Sequence, residues 1–310
     1  MQLFYLTLLL SNILFFNSFC KSSKLSIIGS GFYGSQAALK LAQEDIFDTI
    51  IITDIIDGKS EGTALDIHQC SSLDGFKTNI EGYTTTKDGN GYDKTANSDI
   101  IIITAGVTRK PGMNRLDLLN INSKIIIDVV TNISKYSPNA IIIIVSNPID
   151  EMVKLAKIVS KFPYHKIIGQ AGILDSARLS YFISKKLNIP ATSCKSLCLG
   201  SHGDLMVPCI SQCKVNDKLL TDLLNNNEIE EICNRTRYGG SEIVSLLKTG
   251  SAYFCPAISV SKIAKAIILD TKEIFPCHAW INGEYGLNEL FIGVEAMIGR
   301  NGNNIISLLL

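Results

Sequence analysis

The segment Gly200-Ser201-His202-Gly203-Asp204 sets a histidine in a short glycine-bounded stretch, twenty-seven residues after Asp175 and twenty-four after Arg178. An imidazole exchanges protons near neutral pH, and a carboxylate on one ring nitrogen leaves the other free to do so. A guanidinium close by can hold a substrate carboxylate through two parallel hydrogen bonds. These three groups suit proton transfer on a small 2-hydroxy or 2-oxo acid, provided another part of the chain handles a hydride.

The first half carries a candidate for that task. Leu25 to Ile28 reads as a short apolar strand running into Gly29-Ser30-Gly31-Phe32-Tyr33-Gly34, after which Ala37, Ala38, Leu39, Leu41 and Ala42 form the packing side of a helix. A second strand, Thr49 to Thr53, ends at Asp54, twenty positions past Gly34. A glycine-rich turn between strand and helix lets backbone approach a pyrophosphate at the helix N-terminus. An acidic residue at Asp54 would accept the adenosine ribose hydroxyls and repel a 2′-phosphate, so the expected cofactor is NAD rather than NADP.

The elements that must position these groups alternate. Ile100 to Thr104 runs into Ala105-Gly106, and Ala140 to Val145 into Ser146-Asn147-Pro148. Their unbroken isoleucines read as strands buried on both faces. Strands alternating with helical segments predict an α/β fold: a Rossmann-type doubly wound parallel sheet followed by a mixed α+β catalytic domain. The division expected is an apolar leader over residues 1–23, an NAD-binding domain over 24–147 and a substrate domain over 148–310. In the latter, helical segments are expected at Ile149 to Lys161, Leu174 to Leu187, Ile229 to Leu247 and Ala257 to Leu269. Ala279 to Ile281 and Glu289 to Val294 read as strands of a separate, smaller antiparallel sheet.

Ligands collect where parallel strands end, and there lie Val145, Ser146, Asn147 and the loop Gly106 to Arg115. Arg109 and Arg115 in that glycine- and proline-bearing loop suit an anion-binding lid, whereas Lys110 reads as solvated. Asn147 could hold both substrate and nicotinamide, or simply make an Asn-Pro turn. His68, His165 and His278 lack a paired acid and arginine in sequence and read as structural or exposed.

Composition limits the partners. With 29 basic and 29 acidic residues, the chain has no field to draw nucleic acid or an anionic membrane. Nine cysteines without a regular framework indicate reduced thiols and a cytoplasmic location. Cys194, Cys198 and His202, four apart, lack a fourth ligand and read as core residues rather than a metal site. Gln2 to Phe19 is uncharged and apolar but has no preceding Lys or Arg and no convincing cleavage site. It reads as an appended leader, with export or membrane anchoring the alternative.

Gly29 to Gly34, Asp54, Arg109 to Arg115, Asn122, Val145 to Pro148, Leu174-Asp175-Ser176-Ala177-Arg178 and Gly200 to Asp204 together resemble the lactate/malate dehydrogenase family. Thr249-Gly250-Ser251-Ala252-Tyr253 and Gly283-Glu284-Tyr285-Gly286 add to the likeness, which spans about Lys24 to Ile306. The resemblance implies that His202 accepts the proton in hydroxyacid oxidation, with Asp175 orienting it. It implies Arg178 as the bidentate C1-carboxylate anchor and Arg115 as the lid arginine that polarises the carbonyl. Asn147 would touch substrate and cofactor, Asn122 the cofactor, and the chain would form a homodimer or homotetramer. Tyr33, Gln170 and Ser201 depart from the family pattern, as do the leader and the end at Leu310.

Within the family, Arg109 decides the substrate. Oxaloacetate has a second carboxylate where pyruvate has a methyl group, and enclosing it unpaired costs roughly 3–5 kcal/mol, about 10² to 10⁴ in selectivity. Arg109 pairs it, which points to (S)-malate and oxaloacetate. Lactate oxidation, a non-catalytic NAD-binding role and a membrane-tethered dehydrogenase are the rival readings.

Overall fold

The computed structural model describes residues 22–108, 113 and 115–305. The apolar leader and the whole of Arg109 therefore lie outside the described residues, as does the side chain of Arg115. No helix among the described residues is long and apolar enough to cross a membrane.

Six strands form the parallel half: β1 (Lys24–Ile28), β2 (Thr49–Asp54), β3 (Asn79–Thr84), β4 (Ile100–Ile103), β5 (Ile141–Ile144) and β6 (Ile167–Gly169). Their spatial order is β3-β2-β1-β4-β5-β6, so β1 is flanked by β2 on one side and β4 on the other. The chain reverses its direction of winding there, and a crevice opens at the carboxyl ends of β1 and β4.

Alternation along the isoleucine strands explains the layers. Ile100, Ile102, Ile141 and Ile143 face helices α1 (Phe32–Glu44) and α7 (Phe254–Leu269), packing with Ala38, Leu41, Val260 and Ile263. Ile101, Ile103, Ile142 and Ile144 face α3 (Arg115–Tyr136) and α4 (Ile149–Ser160), meeting Ile126, Val130, Met152 and Val153. All eight isoleucines are buried, which is why no polar residue interrupts either strand.

The antiparallel strands β12 (Glu273–Ile281) and β13 (Leu290–Gly299) do not make a separate small sheet. His278 pairs with Gly169 of β6, so the antiparallel strands continue the parallel ones into one eleven-stranded sheet. The short pairing segment on β6 carries too weak a sequence signal to reveal that join. Beyond β13 come β8 (Cys198–Gly200) and β9 (Met206–Pro208), while β14 (Gly302–Ile305) also pairs with β13. β7 (Cys194–Lys195), β10 (Lys214–Val215) and β11 (Lys218–Leu219) form a three-stranded sheet. A third core joins α5 (Gly172–Leu187) and α6 (Asn226–Leu247) through Leu179, Ile183, Ile229 and Ile232, with Cys194 and Cys198 buried among them.

Helix α2 (Lys59–Gln69) packs tightly on β3 through Gly82, where an added Cβ would lie 2.0 Å from the Ser60 carbonyl oxygen. Backbone rather than a flexible side chain blocks it, so helix and strand must part. Gly82→Ala is expected to cost about 1–3 kcal/mol, read as a lower urea midpoint. An unchanged midpoint would contradict that packing.

Candidate active site

The glycine turn is shaped by close backbone approaches. Gly29 has φ +111°, and a Cβ there would meet Thr104 Oγ1 at 2.7 Å and Ala105 N at 2.9 Å. Gly34 packs even closer, its Cβ position 1.9 Å from the Gly29 carbonyl oxygen. At Gly31, by contrast, nothing lies within 4 Å of an added Cβ. Gly31 is also the N-cap of α1, and no side chain caps that helix. Open space beside uncapped amides fits a pyrophosphate. Phe32 is largely exposed and stacks on Tyr253, with ring centroids 5.4 Å apart.

Asp54 closes β2 beside this turn. Its Oδ2 accepts the Ser30 amide at 2.9 Å and the Ser30 hydroxyl at 3.0 Å, and Oδ1 accepts the Ile56 amide at 3.1 Å. Lys59 Nζ adds an ion pair at 3.0 Å that sequence reasoning did not foresee. Burial alone would push the Asp54 carboxyl up, but the bonds from Ile56, Lys59 and Ser30 outweigh it and hold the group below the usual range. The aspartate thus stands ionised at the turn, as recognition of ribose hydroxyls requires.

Across the crevice, Ser146 donates to the Ala105 carbonyl at 2.6 Å, tying the end of β5 to the segment after β4. Asn122, on α3 and 1% exposed, accepts the Val107 amide at 2.9 Å. Its Nδ2 donates to the Val107 carbonyl at 3.1 Å and the Asn147 carbonyl at 2.6 Å. It braces the start of the Gly106 loop against the exposed Asn147, which precedes Pro148 through a cis peptide. Val145 is half-buried against the core beside them.

The three residues that opened the sequence reading meet at Asp175. This carboxylate lies in the first turn of α5, where the helix dipole favours a negative charge, and is 3% exposed. Its Oδ2 lies 2.8 Å from His202 Nδ1 and its Oδ1 lies 3.2 Å from Arg178 Nη1. A carboxylate on Nδ1 fixes that nitrogen as the donor and leaves Nε2 free for a ligand. Arg178, one helical turn on, runs beside Gly240, where a Cβ would come within 3.5 Å of Nη2, and its buried Nε has no hydrogen-bond partner. An unmet guanidinium donor is a place for an anion. The depth of α5 is set by Gly172, which admits Pro276 of β12 within 2.7 Å of a would-be Cβ.

Two of the departures noted in sequence prove to be partners. The Tyr33 hydroxyl lies 3.1 Å from Gln170 Oε1 and 3.0 Å from the Pro256 carbonyl, so the phenol meets the amide oxygen, while the buried Gln170 Nε2 has no hydrogen-bond partner. Burial, aided by Cys255, pushes the Tyr33 hydroxyl well above its ordinary pKa, so it stays a neutral donor. The third departure, Ser201, follows Gly200 at the end of β8, and Asp150 lies in the first turn of α4. Asp150 in turn contacts His278. The reading of His278 as a residue without an acidic partner is therefore corrected, since the partner is far away in sequence and meets it only through β12.

Comparison with known proteins matches both halves in order. Residues 23–169 match the lactate/malate dehydrogenase NAD binding domain, and residues 173–309 the alpha/beta C-terminal domain of the same family. A malate dehydrogenase of Roseiflexus castenholzii is 42% identical over 279 residues, 90% of this chain and 88% of that protein. The apo malate dehydrogenase of Picrophilus torridus superposes with a TM-score of 0.89 at 42% identity, over 93% of this chain and 90% of that one. The lactate dehydrogenase of Cryptosporidium parvum, solved with lactic acid and nicotinamide adenine dinucleotide, gives 0.88 at 34% identity, over 94% and 91%. The chain belongs to the lactate/malate dehydrogenase family.

Proposed function

We propose that this chain interconverts (S)-malate and oxaloacetate, with NAD as hydride acceptor in the forward direction. The observation that carries the reading is the single buried Asp175 shared by His202 and Arg178. It holds a proton carrier and a carboxylate anchor in one fixed relation. Gly29 to Gly34, Asp54, Asn122 and Val145 to Asn147 would hold the dinucleotide, which when bound supplies or accepts the hydride.

In oxidation, His202 Nε2 takes the hydroxyl proton as the hydride leaves the same carbon. In reduction, the imidazolium returns a proton to the carbonyl oxygen. Asp175 stabilises the charged ring, and Arg178 holds the C1 carboxylate. Arg115 polarises the carbonyl, Arg109 pairs the second carboxylate, and Asn147 orients the substrate against the nicotinamide. The substrate part begins near Pro148 in this scheme. A homodimer or homotetramer fits the reading, since Ile55, Ile56 and Leu65 leave apolar surface exposed, and the free cysteines among the described residues fit a cytoplasmic location. Sedimentation velocity tests that assembly.

Three measurements test the proposal. Ionised Asp54 should repel a 2′-phosphate, with Lys59 offsetting part of the repulsion, so NADH should exceed NADPH in kcat/KM by about 10². Equal use of both cofactors would remove the role given to Asp54.

His202→Asn should bind NADH with nearly the parent Kd and lose about 10² to 10⁴ in kcat. For the parent, reduction should slow as pH rises and oxidation should slow as pH falls, because they need opposite protonation states of the ring. A variant retaining most of its turnover would move the proton carrier elsewhere.

Arg109→Gln should lower kcat/KM for oxaloacetate by about 10² to 10⁴ while pyruvate holds or improves. Arg178→Gln should damage both substrates together, since both carry the C1 carboxylate. Equal losses on the two substrates for Arg109→Gln would leave malate without its physical basis.

A further inference from the structure

Asp54, the acid at the end of β2, does not stand alone. Its Oδ2 takes three donors: the Ser30 amide at 2.9 Å, the Ser30 hydroxyl at 3.0 Å and Lys59 Nζ at 3.0 Å. Its Oδ1 takes the Ile56 amide at 3.1 Å and is the oxygen with room left for a ribose hydroxyl. Lys59 is in the opposite condition. An ammonium has three donors, and among the described residues this one makes a single ion pair. Its side chain is 36% exposed against 11% for that of Asp54, so the cation is the accessible half of the pair. Its own helix does not call for it. Lys59 is the first residue of α2, where the helix dipole disfavours a cation, and Gly58 before it brings no side-chain cap. Gly58 also leaves space, since nothing lies within 4 Å of a Cβ added there. Of the other acids nearby, Glu61 is turned onto the Thr84 amide at 2.6 Å and hydroxyl at 3.0 Å, and Asp57 is exposed in the preceding loop.

We propose that Lys59 is a specificity-determining residue of the cofactor site: it offers a place for a 2′-phosphate that Asp54 masks, so the dinucleotide is chosen by a balance of two opposed charges and not by exclusion alone. This rests on the reading of Gly29 to Asp54 as the dinucleotide site. A 2′-hydroxyl donates to Oδ1 and leaves the ion pair intact. A 2′-phosphate of about −2 charge is repelled by Asp54 but drawn by Lys59, which can turn to it the two donors that the carboxylate does not use. While Asp54 is ionised the repulsion prevails and NAD is preferred. With that charge removed, Lys59 is released, and the preference should shrink or invert.

The test reads binding as a ratio, the Kd of NADPH over that of NADH, both followed by the fluorescence of the bound reduced nicotinamide, so turnover does not enter. Lys59→Met should raise the ratio about tenfold, and Lys59→Arg, which keeps the cation, should hold it within about threefold of the parent. Asp54→Asn should lower the ratio about tenfold or more, and adding Lys59→Met should take most of that gain away. The cost of Lys59→Met to NADPH should be larger in the Asp54→Asn background than in the parent, because there the ammonium no longer answers to a carboxylate. Should Lys59→Met fail to fold, Lys59→Gln gives the same reading. Adenosine 2′,5′-bisphosphate and adenosine 5′-monophosphate, as competitors of NADH, should follow the same order. A parent ratio in Lys59→Met, with Asp54→Asn still lowering it, overturns the role of Lys59 and leaves the cofactor site standing. If Asp54→Asn also keeps the parent ratio, Asp54 does not face the ribose, and the reading of the cofactor site fails with the proposal.

Discussion

A carboxylate removed from water must be paired, and Asp175 is paired twice. At 3% exposure it would be costly as a lone ion, yet an imidazole and a guanidinium each take one of its oxygens. That constraint runs through the rest of the structure. Helix α5 must begin within a turn of Asp175 so that its dipole assists the charge, and must sit deep enough for Arg178 to reach back to it. The His202 loop must return from β8 to the same point. Gly172, Gly240 and Gly293 each keep a backbone or side chain from being pushed out of that arrangement.

The sheet converts this local demand into a global one. Because β12 continues the parallel sheet through His278 and Gly169, the strands that underlie α5 share a hydrogen-bonded frame with those that end at the dinucleotide turn. The cluster of His202, Asp175 and Arg178 and the glycine turn are thus fixed relative to each other by backbone geometry rather than by a linker. Layers of isoleucine on both faces keep that frame dry and stiff.

The parts of this design legible in sequence are those written in local pattern. Isoleucine runs announce doubly covered strands, and the spacing from Gly34 to Asp54 announces a dinucleotide site, because both are set by neighbours in the chain. The meeting of His202, Asp175 and Arg178 was legible because their residue types already suited one another. Relations between distant segments were not legible. Tyr33 and Gln170 stand 137 positions apart and each looks like an isolated oddity until the phenol is seen on the amide. The pairing of Asp150 with His278, and of Lys59 with Asp54, depends on a strand crossing and on a side-chain rotamer, neither of which leaves a periodic trace.

The Tyr33 hydroxyl has a consequence for how this sequence can drift. Phenol, Gln170 amide and Pro256 carbonyl come from the dinucleotide turn, the approach to α5 and the start of α7. An apolar residue at 170 alone would leave the phenol its Pro256 acceptor, whereas a small residue at 33 alone would leave both a void and an amide oxygen unmet. The two single steps are therefore unequal: the one at 33 is uphill, whereas the one at 170 also removes a buried unmet donor. A chain with Gln170 thus has reason to keep Tyr33, while one with Tyr33 is freer at 170.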